Sequence, residues 1–81
     1  MRWVKNETRF FLTLPAAEAT ETGFMYGAVL KVGGLIHPHR LAVLNYETMT
    51  YDEPIEFTNL RAAKAIGKLI AIPRLNRFLN K

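Results

Sequence analysis

The sequence predicts an α+β fold, in which an antiparallel sheet of about four strands carries a C-terminal amphipathic helix on one face. Short runs rich in β-branched and aromatic residues, separated by glycine, proline and acidic turns, fill residues 1–57. After residue 59 the apolar residues instead recur with the period of a helix. A chain of 81 residues has the size of one domain, so residues 1–81 are expected to fold as a single domain.

The first strand is expected over residues 3–14, where Val, Thr, Phe and Leu accumulate. Alternation along this strand would give one apolar face and one face on which aromatic and basic side chains interleave. The second face includes Trp3, Lys5, Arg9 and Phe11. Such a surface can stack bases while its cations meet phosphates, which makes these residues a candidate secondary binding surface. Packing of the rings against a neighbouring strand or a subunit is the commoner use of aromatic residues in strands.

The middle of the chain supplies the most apolar stretch. Proline followed by Ala-Ala-Glu-Ala begins a connector over residues 15–22, which predicts one helical turn or a loop. Residues 24–32 contain a single charged side chain and predict a strand that is largely covered on both faces. The Gly-Gly pair that follows predicts a hairpin turn.

Shorter strands are expected over residues 41–45 and 55–57, and residues 46–51 either continue the first of these or begin another strand. An acidic turn over residues 52–54 precedes the last strand. One helix covers only one face of such a sheet, whereas residues 24–32 supply apolar side chains to both faces. The second face therefore predicts association through an apolar sheet face, either as a homodimer or as a heteromeric contact.

The C-terminal part predicts a capped amphipathic helix, a break and a short second helix. Thr58 is expected to be the N-cap, because its hydroxyl can accept a hydrogen bond from a backbone N–H of the first turn. Pro73 is expected to end this helix, since proline cannot donate a backbone hydrogen bond and displaces the preceding residue from the α region. The apolar spacing after Pro73 then predicts the short second helix.

Basic residues are concentrated at the C-terminal end. Residues 57–81 contain six basic and no acidic side chains, whereas residues 1–56 contain five basic and seven acidic ones. Helical spacing places the first three cations opposite the apolar residues, and the same spacing returns after the proline. The candidate binding residues for an anionic partner are Arg61, Lys64, Lys68, Arg74, Arg77 and Lys81. The alternative is a solvated helix surface whose last cations complement the helix dipole.

The composition argues against catalysis and against bound cofactors. The chain has no cysteine and no serine, so the commonest nucleophiles are missing and we expect no catalytic residues. His37 and His39 would share a strand face, but no third ligand follows at a recognisable spacing, so no metal is expected. No signal peptide and no apolar run of roughly 20 residues is present, which with the absence of cysteine favours a cytoplasmic protein without a membrane span.

The sequence therefore predicts a small non-catalytic binding protein that engages an anionic macromolecule through its C-terminal cationic face. Its net charge of +4 and pI of about 9.8 favour anionic partners, with nucleic acid or a nucleic-acid-handling complex as the first candidate. The alternative is a protein–protein adaptor or inhibitor, for example a phage or mobile-element protein that blocks host nucleic-acid machinery by binding an acidic protein surface.

Overall fold

The computed structural model describes residues 1–14 and 25–80. These residues form an antiparallel sheet and one C-terminal helix, which confirms the α+β fold, but with six strands instead of about four. The elements are β1 (Arg2–Asn6), β2 (Arg9–Thr13), β3 (Ala28–Lys31), β4 (His39–Asn45), β5 (Thr50–Tyr51), β6 (Ile55–Phe57) and the helix α1 (Leu60–Leu79). Strands β1 to β4 lie side by side in chain order, and β5 and β6 both pair with β4. The expected connector over residues 15–22 lies outside the described residues.

The N-terminal run forms a hairpin where a single strand was expected. Strands β1 and β2 pair across a turn at Glu7 and Thr8, and Glu7 has a positive φ of 56°. Such an angle is uncommon without glycine, so the sequence carried no ordinary turn signal there. Because Asn6 and Arg9 lie opposite each other across this turn, the alternation of side chains in β1 does not continue unchanged into β2. Trp3 pairs with Leu12, the neighbour of Phe11, so Trp3 and Phe11 lie on opposite faces of the sheet.

The connection between β3 and β4 is longer than the expected two-residue turn. It spans residues 32–38 and contains His37 and Pro38, while β4 begins at His39. The Gly33 backbone N–H donates a hydrogen bond of 3.0 Å to Nδ1 of His39, which closes the loop at its base. Pro38 directly precedes β4, which agrees with the exclusion of proline from the middle of sheets.

The helix α1 packs on one face of the sheet through its smallest residues. Ala63, Gly67 and Ala71 are buried at intervals of four residues, so they form one line along the helix. Without large side chains on this line, the helix backbone can approach the sheet closely. The buried sheet residues of this core are Leu12, Ala28, Leu30, Leu41 and Val43. Burial of leucine side chains stabilises a fold by roughly 2 kcal/mol each, so this layer supplies much of the stability.

Trp3 joins the edge strand β1 to the helix. Its indole Nε1–H donates a hydrogen bond of 3.1 Å to the Lys64 carbonyl oxygen, and its ring lies against the α-carbon of Gly67. The bond satisfies the polar group of a half-buried ring, which is the usual requirement for tryptophan in a protein interior. Trp3 is therefore a packing residue on the helix side of the sheet.

Asn59, and not Thr58, caps the helix. The Asn59 backbone is extended, and its side-chain oxygen accepts a hydrogen bond of 3.0 Å from the Ala62 backbone N–H. Both residue types are good N-caps, so the sequence alone left a choice between adjacent positions. The expected cap was wrong by one residue.

Pro73 lies inside α1, so the expected break and the separate short helix after it are both wrong. Proline in a helix interior costs about 3 kcal/mol, because it removes a hydrogen bond and crowds the preceding turn. Tertiary contacts beside it offset this cost. Arg74 donates to Asp52 at 2.7 Å and to the Leu44 carbonyl oxygen at 3.3 Å, and Leu75 packs with Leu44 in a second buried cluster.

Candidate functional site

Two of the six cations that were expected to form the basic surface make contacts within the protein. Lys64 Nζ lies 3.7 Å from the centre of the Phe10 ring, which is a cation–π contact. Arg74 forms an ion pair with Asp52, with 2.7 Å between its Nη1 and the carboxylate Oδ2. Both contacts attach the helix to the rest of the domain. These two side chains are thus occupied by structural roles.

The outer side of α1 mixes the remaining cations with apolar residues. The cations are Arg61 and Arg77, which are exposed, Lys68, which is half-buried, and Lys81, which lies outside the described residues. Leu69 is 68% exposed and Ile72 is 43% exposed. The expected division of the helix into an apolar inner face and a cationic outer face is therefore only partly observed.

A different set of cations forms a row across the sheet. Arg9 on β2 pairs with Lys31 on β3, and Lys31 pairs with Arg40 on β4. Paired residues share a face, and the residue next to each of these cations packs under the helix. Arg9, Lys31 and Arg40 therefore lie on the sheet face opposite α1, which we call the open face. We call these three residues the basic row.

The basic row is a line of exposed positive charge. All three side chains are exposed, and within the described residues none makes an ion pair or a hydrogen bond. Like charges directly opposite each other in a sheet destabilise it by a few tenths of a kcal/mol or more, so the row has an energetic cost. In the register of the strands, Glu56 lies opposite Arg40 at one end of the row, and the uncharged Asn6 lies opposite Arg9 at the other end. An anionic ligand would relieve the repulsion.

An aromatic pair lies beside the basic row. Phe11 is two residues from Arg9 on β2 and so faces the same side of the sheet. The Phe11 and Tyr26 ring centres are 4.7 Å apart, with the ring planes tilted by 39°, and Tyr26 is 42% exposed. The Tyr51 hydroxyl donates a hydrogen bond of 2.9 Å to the Tyr26 carbonyl oxygen, which fixes the backbone there. We call Phe11 and Tyr26 the aromatic pair.

Tyr51, which hydrogen-bonds to the backbone of the aromatic pair, adds no negative charge beside it. Burial raises the pKa of Tyr51 above its ordinary value of 10.0. Burial likewise raises the pKa of Tyr46. Both hydroxyl groups therefore remain neutral near pH 7.

The candidate secondary surface is divided between the two sides of the sheet. Trp3 lies on the helix side, and Lys5, whose Nζ is 6.0 Å from the centre of the Phe10 ring, lies there too. Arg9 and Phe11 lie on the open face. The four residues thus do not form one surface, because the turn in the N-terminal hairpin separates the first two from the last two.

Sequence reasoning missed Lys31, Arg40 and Tyr26. Each is unremarkable in its own segment, and the first two belong to a part of the chain with more acids than bases. Among the described acids of that part, Glu47 lies in the turn after β4 and Glu53 in the connection before β6. The signal that would have found the row is the pairing of the strands, which brings distant cations into register.

Among the described residues, two further exposed apolar patches lie in the loop between β3 and β4 and on the outer side of α1. The loop between β3 and β4 carries Leu35 and Ile36, whose exposed fractions are 107% and 87%. The outer side of α1 has a shallow apolar hollow lined by Ala65, Lys68, Leu69, Ile72 and Pro73.

The histidine pair gives no metal site among the described residues. His39 accepts the Gly33 hydrogen bond through Nδ1, and His37 is exposed in the loop. In residues 1–14 and 25–80, no group of three or more histidine, aspartate or glutamate side chains is arranged to hold a metal ion. Over the same residues, no helix has the length and apolar character needed to cross a membrane.

No protein-family model, curated protein or solved structure matches the chain. The open face and the two apolar patches are therefore the features of the structure that bear on function.

Proposed function

We propose that this protein is a non-catalytic binding protein that holds nucleic acid on its open face. The observation that supports this proposal is the basic row, Arg9, Lys31 and Arg40, which lies exposed and without ion-pair partners in the described part of the chain. Phosphate contacts from lysine and arginine supply most of the affinity of proteins for nucleic acids, whatever the sequence that is bound.

The shape of the basic row favours an extended polyanion over a small anion. Neighbouring strands are about 4.8 Å apart, so the row extends over about 10 Å of the sheet. Its three positions lie in line across the face of the sheet, which suits a ligand that extends over several strands. The exposed Arg61 and Arg77 on α1 add to the positive field around the molecule and favour encounter with polyanions.

Charge reversal in the basic row tests the proposal. Lys31→Glu with Arg40→Glu is expected to lower the affinity for a short oligonucleotide about 30-fold at low salt, because two charge-assisted contacts are lost. The measurement is fluorescence anisotropy between about 50 and 300 mM salt. For three phosphate contacts, the logarithm of the association constant should fall with the logarithm of the salt concentration with a slope of about −2 to −3.

Charge reversal on the helix is the matched control for this experiment. Arg61→Glu with Arg77→Glu changes the net charge equally and alters two side chains that are also exposed. Its effect on affinity should be a few-fold at most. An equal loss in both double variants would place binding on the helix or on net charge alone. An affinity that does not depend on salt would exclude the proposal.

The second candidate function is a protein–protein adaptor or inhibitor, such as a phage or mobile-element protein directed at host nucleic-acid machinery. The specific observation that favours it is the exposure of Leu35 and Ile36 at the loop tip. Burying two such side chains in a partner would contribute roughly 3 kcal/mol or more to binding. A protein captured by the tagged chain should then be lost on Leu35→Glu with Ile36→Glu and retained by Lys31→Glu. Capture that is insensitive to the loop variant would contradict this candidate.

A further inference from the structure

Resting on the proposed function, we infer that the ligand is single-stranded nucleic acid, with its phosphates on the basic row and its bases on the aromatic pair. The two features lie on the same face of the sheet and follow each other along β2. Together they provide the two contacts by which proteins hold unpaired nucleic acid, namely cations for the backbone and ring faces for the bases.

The spacing within β2 places the two features side by side. Arg9 and Phe11 are two residues apart on one face, which corresponds to about 7 Å along the strand. In the next strand Lys31 and Val29 repeat the same offset, as do Arg40 and Ala42 in β4. A cationic row and an apolar row therefore run parallel across three strands. A nucleic acid chain crossing the strands would place its backbone over one row and its bases over the other.

Tyr26 is the member of the aromatic pair that a base could reach. Tyr26 is the more exposed of the two rings, and Phe11 is half-buried beneath the same surface. Contact with Phe11 on one side and the hydrogen bond from Tyr51 to the Tyr26 backbone hold this part of the chain in place. A ring that is already positioned loses little conformational entropy when a base stacks on it.

The width of the open face argues against duplex DNA as the ligand. At the end of the sheet that carries the basic row, β1, β2, β3, β4 and β6 lie side by side. Five strands span about 19 Å, whereas the major groove is about 12 Å wide. The face can therefore reach a duplex only along its phosphates. Because bases in a duplex are stacked on one another, the aromatic pair would have no base to contact.

A comparison of single strands with a duplex tests the inference. We would measure the affinity for one short sequence as single-stranded DNA, single-stranded RNA and duplex DNA by fluorescence anisotropy. Tyr26→Leu is expected to weaken single-strand binding about 10-fold and to leave any duplex binding unchanged, because stacking is lost while the cations remain. The conservative variant Tyr26→Phe keeps the ring and should bind single strands like the wild type.

The possible outcomes separate this inference from the proposed function. If duplex is bound as tightly as single strands, or if Tyr26→Leu has no effect or weakens both equally, the single-strand inference is wrong while nucleic-acid binding stands. If no oligonucleotide binds even at low salt, both fail. Trp3 lies on the opposite side of the sheet, so its unchanged fluorescence spectrum in each variant verifies that a loss of binding is not a loss of folding.

Discussion

Replacing Gly67 with leucine is expected to lower the free energy of unfolding by about 4 kcal/mol, and a failure to fold would be the extreme of the same effect. A β-carbon at this position would lie 2.7 Å from Trp3 Cζ2 and 3.1 Å from Leu41 Cδ1. The Trp3 ring cannot simply rotate away, because its N–H is bonded to the Lys64 carbonyl oxygen. The substitution must therefore lift the helix from the sheet or displace the indole. Urea unfolding followed by circular dichroism measures the loss.

The matched control for Gly67→Leu is Ala65→Leu in the same helix. Ala65 is exposed, so the same incoming side chain meets solvent and the outer hollow instead of the core. Leucine is a good helix former, so the control should change the free energy of unfolding by no more than about 0.5 kcal/mol. If Gly67→Leu were as stable as this control, the close contact between α1 and Trp3 would be disproved.

Replacing Gly33 with alanine is expected to lower the free energy of unfolding by about 3 kcal/mol. A β-carbon at Gly33 would overlap with the backbone carbonyl oxygens of His37 and Pro38. Backbone atoms cannot give way as the end of a flexible side chain can, so the loop must open. Opening also removes the hydrogen bond from the Gly33 N–H to His39 Nδ1, which contributes about 1 kcal/mol.

Gly34→Ala is the control for Gly33→Ala, because it makes the same change at the adjacent position. A β-carbon at Gly34 would meet no atom within 4 Å, so its thermal midpoint should remain within a few degrees of the wild type. Thermal unfolding of the two variants side by side gives the comparison. Equal midpoints for both would contradict the tight loop closure at Gly33.

The fold class could be predicted because local sequence signals determine it. The helical period after residue 59 and the short β-branched runs before it are properties of neighbouring residues. The hairpin in residues 2–13 was missed since its turn at Glu7 contains neither glycine nor proline. The strong local preference of Pro73 predicts a helix end. Contacts made by Arg74 and Leu75 with distant residues override that preference.

The candidate site could not be predicted from local patterns. Arg9, Lys31 and Arg40 come from three strands, and only the pairing register makes them neighbours. The helix cations, in contrast, are close in sequence and formed a visible pattern, but Lys64 and Arg74 make internal contacts instead. The charge pattern along the helix therefore did not indicate that Lys64 and Arg74 contact other residues of the protein.

The contact between Trp3 and α1 also bears on how the chain becomes compact during synthesis. It joins residues 61 positions apart, and the helix is made after all six strands. Until α1 emerges and docks, Leu12, Leu30 and Leu41 lack the helix that packs against them in the folded domain. A nascent chain at that stage exposes an aggregation-prone apolar surface to neighbouring nascent chains and to chaperones. Packing of this core is therefore completed only after α1, which follows the strands in the chain, has been synthesised.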